Sequence, residues 1–337
     1  MQEKTSSRER YYRRFGVITI VAVFFLILVG GIVRSTGSGL GCPDWPQCFG
    51  QWVPPTDISE LPADYKTVFA IEGKQIADFS ALKTWIEYVN RLVGVLIGLF
   101  VFITLLLSTQ YWSRDRLVFW MSLAAFVLVG FNGWLGSVVV ATHLKPVIIT
   151  GHMLLALVTV GVLIFAVARS YGAVSHIPKV NNVPKINKWL AVVVVLSILQ
   201  LVFGTQVRQA IDTVANSMGE AGRHLWIENT GIMFYIHRSF SIVVFLANAY
   251  LAKLIIGSVS KQESLYHWSI ILLGLLGMEI LTGVIMAYFA IPAFTQPLHL
   301  LLGALIFGLQ FYLILLVNYE KVMLTTKVDK AEELETV

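Results

Sequence analysis

Three histidines occupy places where an imidazole is costly. His237 and His299 lie near the same end of two apolar runs that cross in one direction, so they sit at similar depth. His152 lies near that end of a third run. A lone histidine there is most simply a polar group tied to a neighbouring helix. A same-level pair in an apolar bundle is a cage for an iron porphyrin, because neutral imidazole ligates iron and bundle cores host such cofactors. Arg34, Arg91, Arg208 and Arg238 gather at the same end. There they could answer porphyrin carboxylates through charge-assisted hydrogen bonds, snorkelling to the interface being their plainer role.

Near the third histidine the pattern changes. The residue expected to match His237 is Asn90, and an amide is a poor iron ligand. Such a site offers one protein ligand, His152, and an open or water-filled coordination position. Glu87 lies three residues before Asn90, about one helical turn away on the same face. It is either a favourable acid in a helix's first turn or a carboxylate that relays protons or orients water. Glu279 lies deeper, where an isolated ionised carboxylate is expensive, so it is expected protonated or hydrogen-bonded to another helix. His143, His176, His224 and His267 lie in turns, loops or at an interface and need no chemical role.

The elements that must position these groups are membrane helices. Of 337 residues 56% are hydrophobic and only 13% charged, with a mean hydropathy of +0.73, against about 25% charged in an average soluble domain. That is too little charge to solvate a globule. A membrane span needs about 20 apolar residues. Eight runs qualify, at roughly 16–33, 87–109, 117–141, 147–168, 189–207, 232–256, 267–290 and 298–319. In lipid the backbone must satisfy its own hydrogen bonds, so each run is expected to be helical. The first is read as a retained helix, since it is long for a signal peptide and no clear cleavage site follows. The net charge of +5 is scattered over short loops and does not point to nucleic acid.

Counting lysines and arginines places both termini in the cytoplasm of a cell-membrane protein. With the N-terminus inside, sixteen lie in cytoplasmic segments, Lys4, Lys327 and Lys330 among them, against seven outside. The largest loop, about 35–85, is then outside and carries Cys42 and Cys48 in CPDWPQC. Disulfides persist there, and a bridge in a Pro-rich turn is a better reading than two free thiols. The spacing is wrong for covalent haem attachment.

The chain also repeats itself. The first run ends GGIVR and the fifth GTQVR; the second begins EYVNR and the sixth FYIHR. Asn132 and Glu279 each stand four residues before a glycine, Gly136 and Gly283, and each glycine stands 16 residues before a histidine. Four spans per half make this a parallel repeat about an axis along the membrane normal. The expected architecture is an all-α integral membrane protein of two four-helix bundles, 1–170 and 171–337.

These residues resemble the haem A synthase family, membrane enzymes that convert haem O to haem A for cytochrome oxidases. The resemblance runs from about 17 to 319 and is most specific in GGIVRSTGSGLGCPDWPQCFGQW, supported by EYVNRLVG, GHMLLAL, IHRSF and PLHLLLG. It implies a cofactor haem b held by His237 and His299 in the C-terminal half. It implies substrate haem O in the N-terminal half, with His152 as a ligand and Glu87 as the acidic residue tied to activity. Family chemistry oxidises one porphyrin methyl group through an alcohol and a hydrated aldehyde to a formyl group. The cysteine pair is read as an outer disulfide, structural or electron-delivering. The family pattern places an iron-ligating histidine three positions after the acid, where this chain has Asn90, so two-histidine ligation of the substrate haem is not expected. Implied partners are a membrane electron donor, the lipid bilayer and a haem O synthase.

Two other readings compete. A diheme b-type electron-transfer cytochrome would use the same histidines, but has no need of an acid beside an incomplete ligand set. A repeat-built transporter would favour broken helices with polar groups near mid-membrane, whereas here His and Arg gather at one end.

Overall fold

The computed structural model describes residues 6–172 and 178–323. Lys4, His176, Lys327 and Lys330 lie outside the described residues. Eight helices are long and apolar enough to cross a membrane: α1 (Ser7–Ser35), α2 (Ala81–Ser108), α3 (Arg116–Ala141), α4 (Pro146–Ser170), α5 (Val183–Met218), α6 (Ile232–Ile256), α7 (Ser264–Tyr288) and α8 (Thr295–Val317).

Two helices outrun the apolar stretches that announce them. α1 begins at Ser7 rather than near 16, because Ser6 accepts from the Glu9 amide at 3.2 Å while Glu9 accepts from the Ser6 amide at 3.0 Å. This reciprocal cap satisfies donors that the first turn leaves open, so polar residues extend the helix beyond the lipid. α5 runs 36 residues, about 54 Å at the usual rise and well beyond a hydrocarbon core of about 30 Å. Its last turns therefore stand outside the apolar slab.

Helix contacts follow the same order in both sets of four. α1 packs on α2, α2 on α3, α3 on α4 and α4 back on α1; α5 to α8 close in the same way. The two sets meet through α8, which touches α1 and α4, and more lightly through α4 against α5. Two-thirds of the most apolar stretch of α8 is buried in protein, against 11% for α3 and 17% for α7. α8 is thus the central element, while α3 and α7 turn their sides to lipid. Small residues let α1 and α8 approach. A Cβ on Gly31 would fall 2.9 Å from the Pro297 backbone, and one on Gly308 would fall 2.9 Å from the Phe24 ring.

The end of the bundle carrying the N-terminus is clamped by charge: Glu9 pairs with Arg114 at 2.6 Å, Asp115 with Arg169 at 2.6 Å, and Arg169 also donates to the Val322 carbonyl. The opposite end carries the long loop 36–80. It folds over a small core of Phe49, Tyr65, Ile71 and Ile76 beside a disulfide between Cys42 and Cys48.

Candidate functional site

His237 on α6 and His299 on α8 face each other in the second set of helices, with ring centroids 6.3 Å apart and planes at 73°. Glycines on the neighbouring helices lie against the rings. A Cβ on Gly204 would lie 3.3 Å from Cε1 of His237, and one on Gly283 would lie 3.5 Å from Cε1 of His299. Thr282 settles the orientation of His299. Its hydroxyl donates to the Glu279 carbonyl at 2.9 Å, so its oxygen is left to accept from Nδ1 of His299, also at 2.9 Å. Assigning the proton to Nδ1 leaves the Nε2 lone pair free as a ligand. Glu279 Oε2 lies 3.3 Å from the same Nδ1.

The arrangement fits an iron porphyrin. Two imidazoles bonded to one metal at about 2 Å place their ring centroids about 6 Å apart. Among the described residues no group of three or more His, Cys, Asp or Glu could hold a metal ion. The remaining coordination positions are those a macrocycle supplies. Nδ1 of His237 is buried and lies toward the Gln200 main chain.

In the first set, His152 lies against Gly136 as His299 lies against Gly283: a Cβ on Gly136 would be 3.4 Å from Cε1 of His152. Asn90, which corresponds to His237 in the repeat, has its Oδ1 buried and unpartnered, and nothing lies within 4 Å of a Cβ built on Gly30, the counterpart of Gly204. Nδ1 of His152 and Oδ1 of Asn132 are likewise buried without partners.

Glu87 and Arg91 face the disulfide loop. Glu87 is 3% exposed; its Oε2 accepts from the Cys42 amide at 3.0 Å and its Oε1 from Arg91 at 2.6 Å. Arg91 donates further to the carbonyls of Cys42 (2.9 Å), Asp44 (2.6 Å) and Gln47 (2.8 Å). Gly41 is required for this docking, because a Cβ there would sit 2.5 Å from the Lys83 carbonyl oxygen. Most of the hydrogen-bonding capacity of Arg91 is therefore engaged in holding the loop over α2.

Arg34 and Arg208 converge from the two sets of helices on one carboxylate, Asp212, at 3.4 and 2.7 Å. Arg208 also donates to the Arg34 carbonyl and to Gln296. The Nε atoms of both arginines are buried without partners. Arg238 lies over the rings of Phe234 and Tyr235. Among the other histidines, His143 occupies a left-handed turn and Nδ1 of His267 contacts the Glu263 carbonyl at 3.2 Å. His224 lies in the short helical segment Glu220–Leu225.

Sequence reasoning missed Thr282 and Asp212. Both carried a signal at helical spacing, Thr282 three residues after Glu279 and Asp212 four after Arg208. The grip of Arg91 on the loop carbonyls had none.

Residues 13–311 match the cytochrome oxidase assembly protein family, COX15-CtaA. The chain belongs to that family. The relatives include a heme A synthase of Bacillus cereus (strain ATCC 14579), 24% identical over 96% of this chain and all of that one. One of Geobacillus kaustophilus is 22% identical over 91% of this chain and 92% of its own. One of Shewanella oneidensis is 31% identical over a shorter stretch, 41% of this chain and 39% of that one. With the family assigned, the glycine-seated histidines and the disulfide loop become the features to explain.

Proposed function

We propose that this chain is a haem A synthase, oxidising one porphyrin methyl group of haem O to a formyl group in the cell membrane, with both termini cytoplasmic. The observation that carries the reading is the facing of His237 and His299 at 6.3 Å in a chain of this family. The helices form two halves, 1–170 and 171–337. The later half holds a haem b through His237 and His299, and the earlier half receives haem O on His152. A bound haem b supplies one-electron redox chemistry. The chain's own residues do the rest. Gly136, Gly204 and Gly283 seat the three imidazoles against neighbouring helices, and Thr282 fixes the tautomer of His299. Asn90 leaves the face opposite His152 without a protein ligand, which keeps it accessible. Glu87 and Arg91 hold the Cys42–Cys48 loop over the mouth of the earlier site, where it excludes water and keeps the Glu87 carboxyl at the entrance. Arg34 and Arg208, with their unpartnered Nε atoms, and Arg238 are the cations for haem carboxylates. Electrons come from a membrane redox partner, and haem O is delivered by its synthase.

Expression with a source of haem O, followed by mass analysis of extracted haems, tests the reading. Formyl-bearing haem is the expected product. Unchanged haem O overturns it, and with it intact haem b would favour an electron carrier.

A further inference from the structure

The two sides of the first turns of α1 differ in how their charges are answered. On the inner side Glu9 pairs with Arg114, and the buried Arg13 lies over the Tyr171 ring. Nearby at that end of the bundle Asp115 holds Arg169, and Arg116 lies over Trp112 and donates to its carbonyl. On the outer side Arg10 and Arg14 are exposed, and neither guanidinium has a partner among the described residues. Like charges one turn apart on a helix repel, a cost that a shared anion removes.

Arg10 and Arg14 line an open cavity together with Ser7 and Tyr11. Backbone donors are not what it offers, since Ser6 already accepts from the Glu9 amide. It offers two guanidiniums and two hydroxyls. The same side of α1 then continues as an uncovered apolar strip. Ile18, Val21 and Phe25 follow Arg14 at helical spacing, and each is more than half exposed. On a helix long and apolar enough to cross a membrane, such a strip meets lipid chains. The occupant is therefore anionic at one end and apolar along the rest.

We infer that this side of α1 binds an anionic phospholipid. Its headgroup phosphate accepts from Arg10 and Arg14, and one acyl chain lies along Ile18, Val21 and Phe25. A free phosphate would meet only the first part of this surface. Because α1 packs on the central α8, a lipid held here also steadies the joint between the two sets of helices.

The purified full chain in non-ionic detergent, titrated with phosphatidylglycerol or with phosphatidylcholine of the same acyl chains, tests the inference. Native mass spectrometry reads binding and thermal unfolding reads its effect. Phosphatidylglycerol should bind more tightly and raise the unfolding temperature. Arg10→Gln and Arg14→Gln should each weaken its binding about fivefold, the effect of one arginine near a charged headgroup. Arg8→Gln removes an exposed arginine two positions from Arg10, on another side of the helix, and should leave binding unchanged. Equal losses in all three variants would mean diffuse attraction to anionic surfaces and overturn the site, as would equal binding of the two lipids. Stabilisation by inorganic phosphate alone, matching that by phosphatidylglycerol, would overturn the lipid assignment.

Discussion

Glu87 and Arg91, one turn apart on α2, form a 2.6 Å ion pair whose remaining hydrogen bonds all reach the disulfide loop. Glu87 and Arg91 are thus the anchor of that loop on α2. Both side chains are largely buried, so removing one leaves the other charge without compensation. Arg91→Ala should destabilise the protein by about 3 kcal/mol, read by thermal unfolding in detergent. It should also speed hydrogen exchange at the Cys42 amide, which a loosely tethered loop predicts and a rigid one does not.

Asn90→His supplies, in the proposed earlier site, an imidazole at the position that corresponds to His237 in the repeat. The earlier site should then acquire a six-coordinate, low-spin spectrum, and methyl oxidation should fall because the accessible position is filled. An unchanged spectrum would count against placing the substrate haem there.

Cys42 and Cys48 close a short loop beside Glu87 and Arg91. Replacing both by serine should cost about 2 kcal/mol and leave the two-imidazole spectrum of the later half untouched. Loss of that spectrum on substitution would mean the loop reaches further than its contacts indicate.

At the loop's other edge, Nζ of Lys145 lies 2.7 Å from Glu72 and holds that carboxyl below the usual carboxylate range. A depressed carboxylate contributes its tie above the ordinary pKa and loses it as pH falls through the lowered value. Loop 66–76 should therefore loosen only on the acid side, and Lys145→Ala, which removes the tie at every pH, should leave the loop already loosened and abolish most of that pH dependence, as followed by loop amide exchange. The pair is exposed and screened, so the global stability change should be small.

The eight spans were legible because lipid permits only long apolar helices, and hydropathy reads that directly. The ends of α1 and α5 were not, since the Ser6–Glu9 cap and the polar turns to Met218 lie beyond the apolar signal. His237 and His299 could be paired from helix direction alone. The convergence of Arg34 and Arg208 on Asp212 could not, because it joins α1 to α5, two helices far apart in sequence. Asn90 stood out through the repeat, yet only the structure revealed its orphaned Oδ1 and the open space at Gly30.

The account depends most on His237 and His299 sharing one iron. The absorption spectrum of the purified protein, compared with His237→Ala, His299→Ala and His152→Ala, tests this directly. A low-spin two-imidazole signature lost in either of the first two and retained in the third is the predicted result. A signature that survives loss of His237 or His299 would contradict it.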